Sequence, residues 1–263
     1  MDLQVEGKTA LVTGSTSNIG YAIAKALLNE GATVIVNGRS QASVDEAIEK
    51  LREETGHTAQ GFAGDMTSVV AAQRLAETYP SVDILINNVG GASFVPFMES
   101  TDADWIESFE FNVMTGVRLS RLYLPYMQQQ DWGRIIFISS ESALQIPVEF
   151  IHYGVAKAAQ IAAARGLAEL VAGSGITVNS VLPGPTRERG AELSPAMAER
   201  FGAKTFEEFE QRFIRDFRPT SLIKRFAEPD EVAALVTYLS SPLASATTGA
   251  ALRVDGGVVK SAF

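Results

Sequence analysis

Tyr153 and Lys157 stand four residues apart in HYGVAKAAQ, and Ser140 lies 13 residues before the tyrosine, just after the apolar run IIFI. Positions four apart share one face of a helix, with Cβ atoms about 5–6 Å from each other. An ammonium beside a phenol favours the phenolate, so a group that ordinarily titrates near ~10 can exchange a proton closer to neutrality. A serine hydroxyl at the end of the neighbouring strand can hold a substrate oxygen against that phenol. The three residues suit general acid–base work on a carbonyl or an alcohol. Tyr-x-x-x-Lys is common on helix surfaces, so the reading depends on the elements that would position it.

Those elements alternate. Strands are expected over 10–13, 34–37, 59–63, 84–87, 135–139, 178–182 and 251–254, each a short apolar run of the kind covered on both faces. Helices are expected between them, including 43–55, 68–79, one starting near Thr101 with an acid at its third position, and one from Tyr153 to about Ala172. This alternation predicts an α/β fold, a Rossmann-type doubly wound parallel sheet of about seven strands with helices on both faces. Ligands of such sheets bind at the carboxyl ends of the strands.

A chain of 263 residues with 46% hydrophobic and 20% charged residues, and no linker or repeat, reads as one domain over 1–263. The absence of cysteine removes thiol chemistry and fits a cytoplasmic protein. Two histidines, His57 and His152, are too few for a histidine-built metal centre. No secretory leader or membrane span is expected. A net charge of −9 argues against nucleic acid as a partner. An anionic ligand would then depend on backbone amides, a helix N-terminus or a single arginine.

Residues 186–227 interrupt the alternation with nine basic and seven acidic residues. Ser194-Pro195 reads as a helix start, Thr205 and Glu208 as a capping box, and Phe206, Phe209, Phe213 and Phe217 recur at near-helical spacing. Two readings stand: an aromatic stripe packed onto the body, or a substrate lid with phenylalanines facing the pocket.

The first strand leads into TGSTSNIG and then a helical run. A glycine-containing turn at that place lets backbone amides approach a pyrophosphate, and Gly14, Ser15, Thr16, Asn18, Ile19 and Gly20 are the candidates to hold it. After the second strand, Gly38 occupies the place where an acid would hold a ribose 2′-hydroxyl, and Arg39 follows. An arginine without the acid favours a 2′-phosphate, hence NADP(H), with NAD(H) possible.

Together these motifs resemble the classical short-chain dehydrogenase/reductase family over nearly the whole chain. TGSTSNIG is similar to the family's TGxxxGxG turn, AGDM supplies Asp65 and Met66 beside the adenine, and NNVG supplies Asn88 and Gly90. FNV supplies Asn112, which with Ser140, Tyr153 and Lys157 completes the family's catalytic set; VLPGPT supplies Pro183, Gly184 and Thr186. The resemblance implies that Tyr153 exchanges the proton, Ser140 orients the substrate oxygen, Lys157 lowers the phenol and binds the nicotinamide ribose, and Asn112 anchors a water. Three departures are Asn18 for the middle glycine, Glu188 where the family has a threonine, and Val89 for alanine; the threonine's contact falls to Thr186.

The implied activity is NADP(H)-linked interconversion of a small ketone or aldehyde and a secondary alcohol. A reductase of acyl-carrier-protein thioesters is an alternative, although the segments that would dock an acidic carrier read QQQDWGR, with Asp131, and AGSG, with Ser174, and offer it little attraction. A non-enzymatic NADPH-binding regulator is another. The substrate pocket is expected to include the loop 91–97 beginning at Gly91, then Glu141, Ser142, Gln145, Ile146 and Phe150. Glu141 and Glu188 would repel an acidic substrate if they face it, or lie inert on the surface; His152 is expected to point away. Eight alanines between Tyr153 and Ala172 allow a close helix contact, and the family implies a homo-oligomer, a tetramer.

Overall fold

The computed structural model describes residues 2–187, 198, 199 and 201–262. The strands are β1 (Thr9–Val12), β2 (Thr33–Gly38), β3 (Gln60–Ala63), β4 (Ile84–Asn87), β5 (Gly133–Ile138), β6 (Ile176–Pro183) and β7 (Ala251–Val254). They form one sheet in the order β3-β2-β1-β4-β5-β6-β7, and every neighbouring pair is parallel. The Rossmann-type fold expected from the alternation is the one observed, with boundaries displaced by a residue or two at most ends.

Successive residues of each strand serve opposite faces, and along β4, β5 and β6 both faces are dry. Ala10 and Val12 pack with Leu27 of α1 (Asn18–Asn29), Leu51 of α2 (Gln41–Thr55) and Val236 of a helix at Pro229–Ser240. Leu11, between them, packs with Leu75 of α3 (Val69–Thr78), Leu119 of α5 (Thr115–Gln130) and Ala164 of α6 (Ile151–Leu170). Each fully buried Val, Leu or Ile contributes about 1.5–3 kcal/mol, so the two layers hold the strand ends rigidly. The chain runs outward from β1 to β3 and then returns to β4, and this reversal opens a crevice beyond the carboxyl ends of β1 and β4.

The helix expected near Thr101 is α4 (Asp102–Phe109), started by a complete capping box between Thr101 and Asp104. A π-helical turn, Glu110–Met114, separates it from α5. In the 186–227 segment, Phe206–Phe217 forms α7, and α8 is the helix at Pro229–Ser240. The box there is half made: Thr205 accepts from the Glu208 amide, but the Glu208 carboxylate accepts from the Lys204 amide. The phenylalanines turn onto Phe201 and Phe226 in a separate cluster, with Phe209 buried at its centre, and not into the crevice. Ser194-Pro195 and Glu188 lie outside the described residues. The two ends of the segment meet where Thr186 bridges Ala227, closing it at a neck.

Candidate active site

The turn after β1 is shaped by backbone demands. Gly14 has φ +59°, and Asn18 has φ +50°, so the asparagine that replaces the middle glycine takes a left-handed conformation it tolerates better than most residues. A Cβ on Gly20 would lie 2.5 Å from the Gly14 carbonyl oxygen and 2.6 Å from Asn88 Nδ2. Asn88 Nδ2 donates to the Thr13 and Gly14 carbonyls, tying β4 to the turn. The start of α1 therefore presents amide hydrogens to a cleft of about 520 Å³, as a diphosphate site requires.

All but one of the residues expected to hold a dinucleotide line this cleft: the turn residues, Arg39, Asp65, Met66, Asn88, Gly90, Tyr153, Lys157, Pro183, Gly184 and Thr186. Ser15 is the exception. It is fully buried, its hydroxyl donates to the Val12 carbonyl and its amide to the Asn37 carbonyl, so it braces β1 against β2 and does not reach the cleft. Asn37 was not anticipated: its Oδ1 accepts from the Gly14 amide and its Nδ2 donates to the Phe62 and Gly64 carbonyls, joining three strand ends. A lone asparagine closing an apolar strand was the available signal. At Gly38, where an acid would hold a ribose hydroxyl, a Cβ would lie 2.5 Å from Thr16 Cγ2, so a side chain there requires Thr16 to shift. Arg39 opens on the cleft near Asp65, whose carboxyl is held low first by hydrogen bonds from Thr67 and then by that arginine.

At the far end the fold brings Ser140, Tyr153 and Lys157 together. Tyr153 stands in the first turn of α6, with Ser140 near enough to its hydroxyl to favour the phenolate. The Ser142 amide donates to Ser140 Oγ at 3.1 Å, and Ser139 Oγ donates to the Lys157 carbonyl at 2.8 Å. Lys157 Nζ donates to the Ile138 carbonyl at 2.9 Å and lies 5.6 Å from the centroid of the Tyr153 ring. It sits over the ring and not at the hydroxyl. Burial therefore dominates both groups, pushing Tyr153 up to about 12 and Lys157 down to about 7. The phenol keeps its proton here, contrary to the lowered phenol expected from the spacing. The ring still opens on the cleft and is partly exposed, so water there moderates the rise.

Asn112 is fully buried on the π-helical turn, a local irregularity common at functional positions. Its Nδ2 donates to the Gly91 and Ser108 carbonyls and its Oδ1 accepts from the Gly91 amide. A Cβ on Gly90 would lie 2.7 Å from Asn112 Oδ1 and 2.9 Å from Lys157 Nζ. The glycine is thus what allows those two groups to approach.

The expected substrate residues lie beside the cleft and not in its wall. Gly91 borders an adjoining cavity of about 280 Å³ with Ser93, Glu107 and Asn112. Phe150 is buried between Phe94 and Tyr153, with ring centroids 4.8 Å and 5.7 Å away. Ser142 is buried under Ser140. Glu141 neither faces the cleft nor lies on the surface: it is buried and paired with Arg218 at 2.7 Å. Arg218 was not anticipated, and 77 positions separate it from its partner. His152 is buried beneath the 91–97 loop, 3.0 Å from Ser93 Oγ, and does not point outward.

Comparison with known proteins agrees with this geometry. The sequence profile described as short chain dehydrogenase matches residues 8–196. The chain is 45% identical to the uncharacterized oxidoreductase YvaG of Bacillus subtilis over the whole of both chains. It is 31% identical to the 3-oxoacyl-[acyl-carrier-protein] reductase FabG of Aquifex aeolicus, covering 98% of this chain and 100% of that one. The structure of L-sorbose reductase from Gluconobacter frateurii, complexed with NADPH and L-sorbose, aligns with a TM-score of 0.90 at 31% identity, covering 99% of this chain and 100% of that one.

Proposed function

The chain belongs to the short-chain dehydrogenase family, an oxidoreductase of alcohol and carbonyl groups, and on that premise we propose that it is an NADP(H)-preferring enzyme for a small ketone, aldehyde or secondary alcohol. The observation that carries the cofactor choice is the Gly38–Arg39 pair. Gly38 carries no acid, and Arg39 stands at the cleft with its guanidinium available to a 2′-phosphate.

When bound, the nicotinamide supplies or accepts the hydride at the substrate carbon. Tyr153 Oη gives its proton to the carbonyl oxygen, or takes one from an alcohol. Its protonated state in this site suits the reducing direction. Ser140 Oγ, beside the Tyr153 hydroxyl, orients the same oxygen. Lys157 returns the proton to Tyr153: a group near 7 passes a proton on more readily than an ordinary lysine. Asn112 Oδ1, beside Lys157 Nζ across Gly90, anchors the water that resupplies it.

The lid reading of the 186–227 segment rests on its described ends, which meet where Thr186 bridges Ala227, with Thr186 lining the cleft. The acyl-carrier reading is weaker because Arg134, the base after Asp131, is buried and spent on the Ser241, Gly133 and Gly175 carbonyls. Assembly as a homotetramer is supported by exposed apolar residues on helix surfaces, Ile106 and Phe109 on α4 and Val155 on α6. Light scattering that finds only a monomer of 28.2 kDa removes it. Among the described residues no helix is long and apolar enough to cross a membrane, in keeping with a cytoplasmic place.

Parallel thermal-shift and fluorescence titrations with NADPH and NADH test the reading. NADPH at one hundred times its Kd stabilises by about 2.7 kcal/mol, and NADH is expected to need a higher concentration for the same shift. Preference for NADH overturns the role of Arg39. Binding of neither overturns the enzymatic reading in favour of a fold without cofactor.

A further inference from the structure

Among the described residues, one ion pair has both side chains under a tenth exposed: Arg218 and Glu141, at 7% and 3%. Glu141 directly follows Ser140. Arg218 closes α7, its amide donating to the Phe213 and Ile214 carbonyls. The contact is a single one, Arg218 Nε to Glu141 Oε1 at 2.7 Å, with Ser142 Oγ donating to the same oxygen at 3.3 Å. Glu141 Oε2 is buried and has no hydrogen-bond partner. Arg218 Nη1 turns back to the Phe217 carbonyl, and its guanidinium lies 5.8 Å from the Phe213 ring centroid.

A pair built this way is a poor stabiliser. Desolvation of two buried charges offsets their attraction, and well-packed apolar residues hold two segments together as well or better. An ion pair supplies something packing does not, which is a field. Glu141 and Arg218 act on the Tyr153 hydroxyl in opposite senses, the carboxylate making its proton harder to lose and the guanidinium easier. The charged and polar groups facing Tyr153 are Ser140, Glu141 and Arg218, with Lys157 over the ring and Asp255 reaching it through Glu141. His152, next in the chain, is turned to Ser93.

We propose that Glu141 and Arg218 are positioning residues whose pair seats the end of α7 behind Ser140 and makes the proton-donating competence of Tyr153 depend on that seating. The proposal deepens, and rests on, the reading of Tyr153 as the proton donor. With α7 seated, the guanidinium opposes the carboxylate's effect on the phenol. With α7 displaced, Glu141 is left uncompensated beside it and the phenol holds its proton more tightly. The end of α7 is thereby coupled to the acid that works in the cleft.

The test uses the full chain and reads Tyr153 directly. Absorbance at 295 nm after a pH jump, each protein measured against its own Tyr153→Phe derivative, isolates this residue from the other tyrosines. Glu141→Gln is expected to lower the Tyr153 midpoint and Arg218→Gln to raise it, each by about one pH unit; the double variant returns it to the parent's. With NADPH and diacetyl as the probe ketone, Arg218→Gln loses about tenfold in kcat with the KM for NADPH unchanged, and the double variant recovers most of it. Shifts in the same direction, no shift, or a double variant no better than Arg218→Gln overturn the proposal. Should a single variant fail to fold, Arg218→Lys is read in its place: it keeps the charge and must keep the parent's midpoint. The titration needs neither cofactor nor substrate. Opposed shifts in a parent that does not reduce diacetyl would count against the functional reading while leaving the pair's role standing.

Discussion

Around Gly14, Asn18 and Gly20 the cleft is walled by backbone: left-handed turns, amide hydrogens at the start of α1, and glycines with no room for a Cβ. Around Ser140, Tyr153 and Lys157 it is walled by side chains, backed by the buried Glu141–Arg218 pair, whose partners lie far apart in sequence. In the proposed function the first end takes a group common to many enzymes, and peptide groups aimed by a tight turn suffice for it. The second must place a proton on one substrate, which needs titratable groups in set surroundings. The two ends meet at Gly90, where the dinucleotide wall passes between Asn112 and Lys157.

The comparison breaks if the ends cannot be damaged separately. The largest effect is expected for Tyr153→Phe, which removes the proton donor and lowers kcat by about 10²–10⁴-fold. NADPH affinity by fluorescence titration should hardly change; a parallel loss of binding would mean that the ends are one site. Gly90→Ala comes next. Its methyl group would enter between Asn112 Oδ1 and Lys157 Nζ, costing about 1–3 kcal/mol in stability and reducing both turnover and NADPH affinity. An intact kcat in that variant would dissociate Asn112 from the chemistry. Arg39→Ala should weaken NADPH by about tenfold, equivalent to about 1.4 kcal/mol, and leave kcat and NADH affinity nearly unchanged. Equal losses for the two dinucleotides would show that Arg39 does not read the 2′-phosphate.

The smallest effect concerns stability. Lys157 titrates near 10.5 when unfolded and near 7 in the fold. Between those values the unfolded chain holds a proton that the folded one has released, so stability rises with pH through this window and is lowest below it. In Lys157→Met that contribution is gone. The variant should be more stable than the parent at pH 7, and its advantage should shrink by about 1 kcal/mol per pH unit toward pH 10. Chemical denaturation at three pH values checks this; an advantage independent of pH would mean that Lys157 is charged in the folded protein.

Much of the first end was legible before any coordinates. The apolar strands, the Thr101–Asp104 cap and the glycine turn are local signals, and each appears where the residues place it. Ser15 misled because a turn motif marks a stretch of chain, whereas only the packing of β1 on β2 turns that hydroxyl inward. The phenylalanine spacing correctly announced a helix but could not say what its stripe would meet, since Phe201 and Phe226 are brought to it by the path of the segment.

The sequence by itself determined the doubly wound sheet, the place of the phosphate turn and the pairing of Tyr153 with Lys157 on one helix. Those follow from periodicities of two and 3.6 residues and from what glycine alone can do. Only the tertiary structure decided the state of those groups. It placed Lys157 over the phenol ring and not at its oxygen, buried the lysine while leaving the tyrosine partly exposed, and met Glu141 with Arg218 from 77 positions away. Spacing specifies which residues are neighbours along an element, while burial and the arrival of distant charges specify where their protons reside.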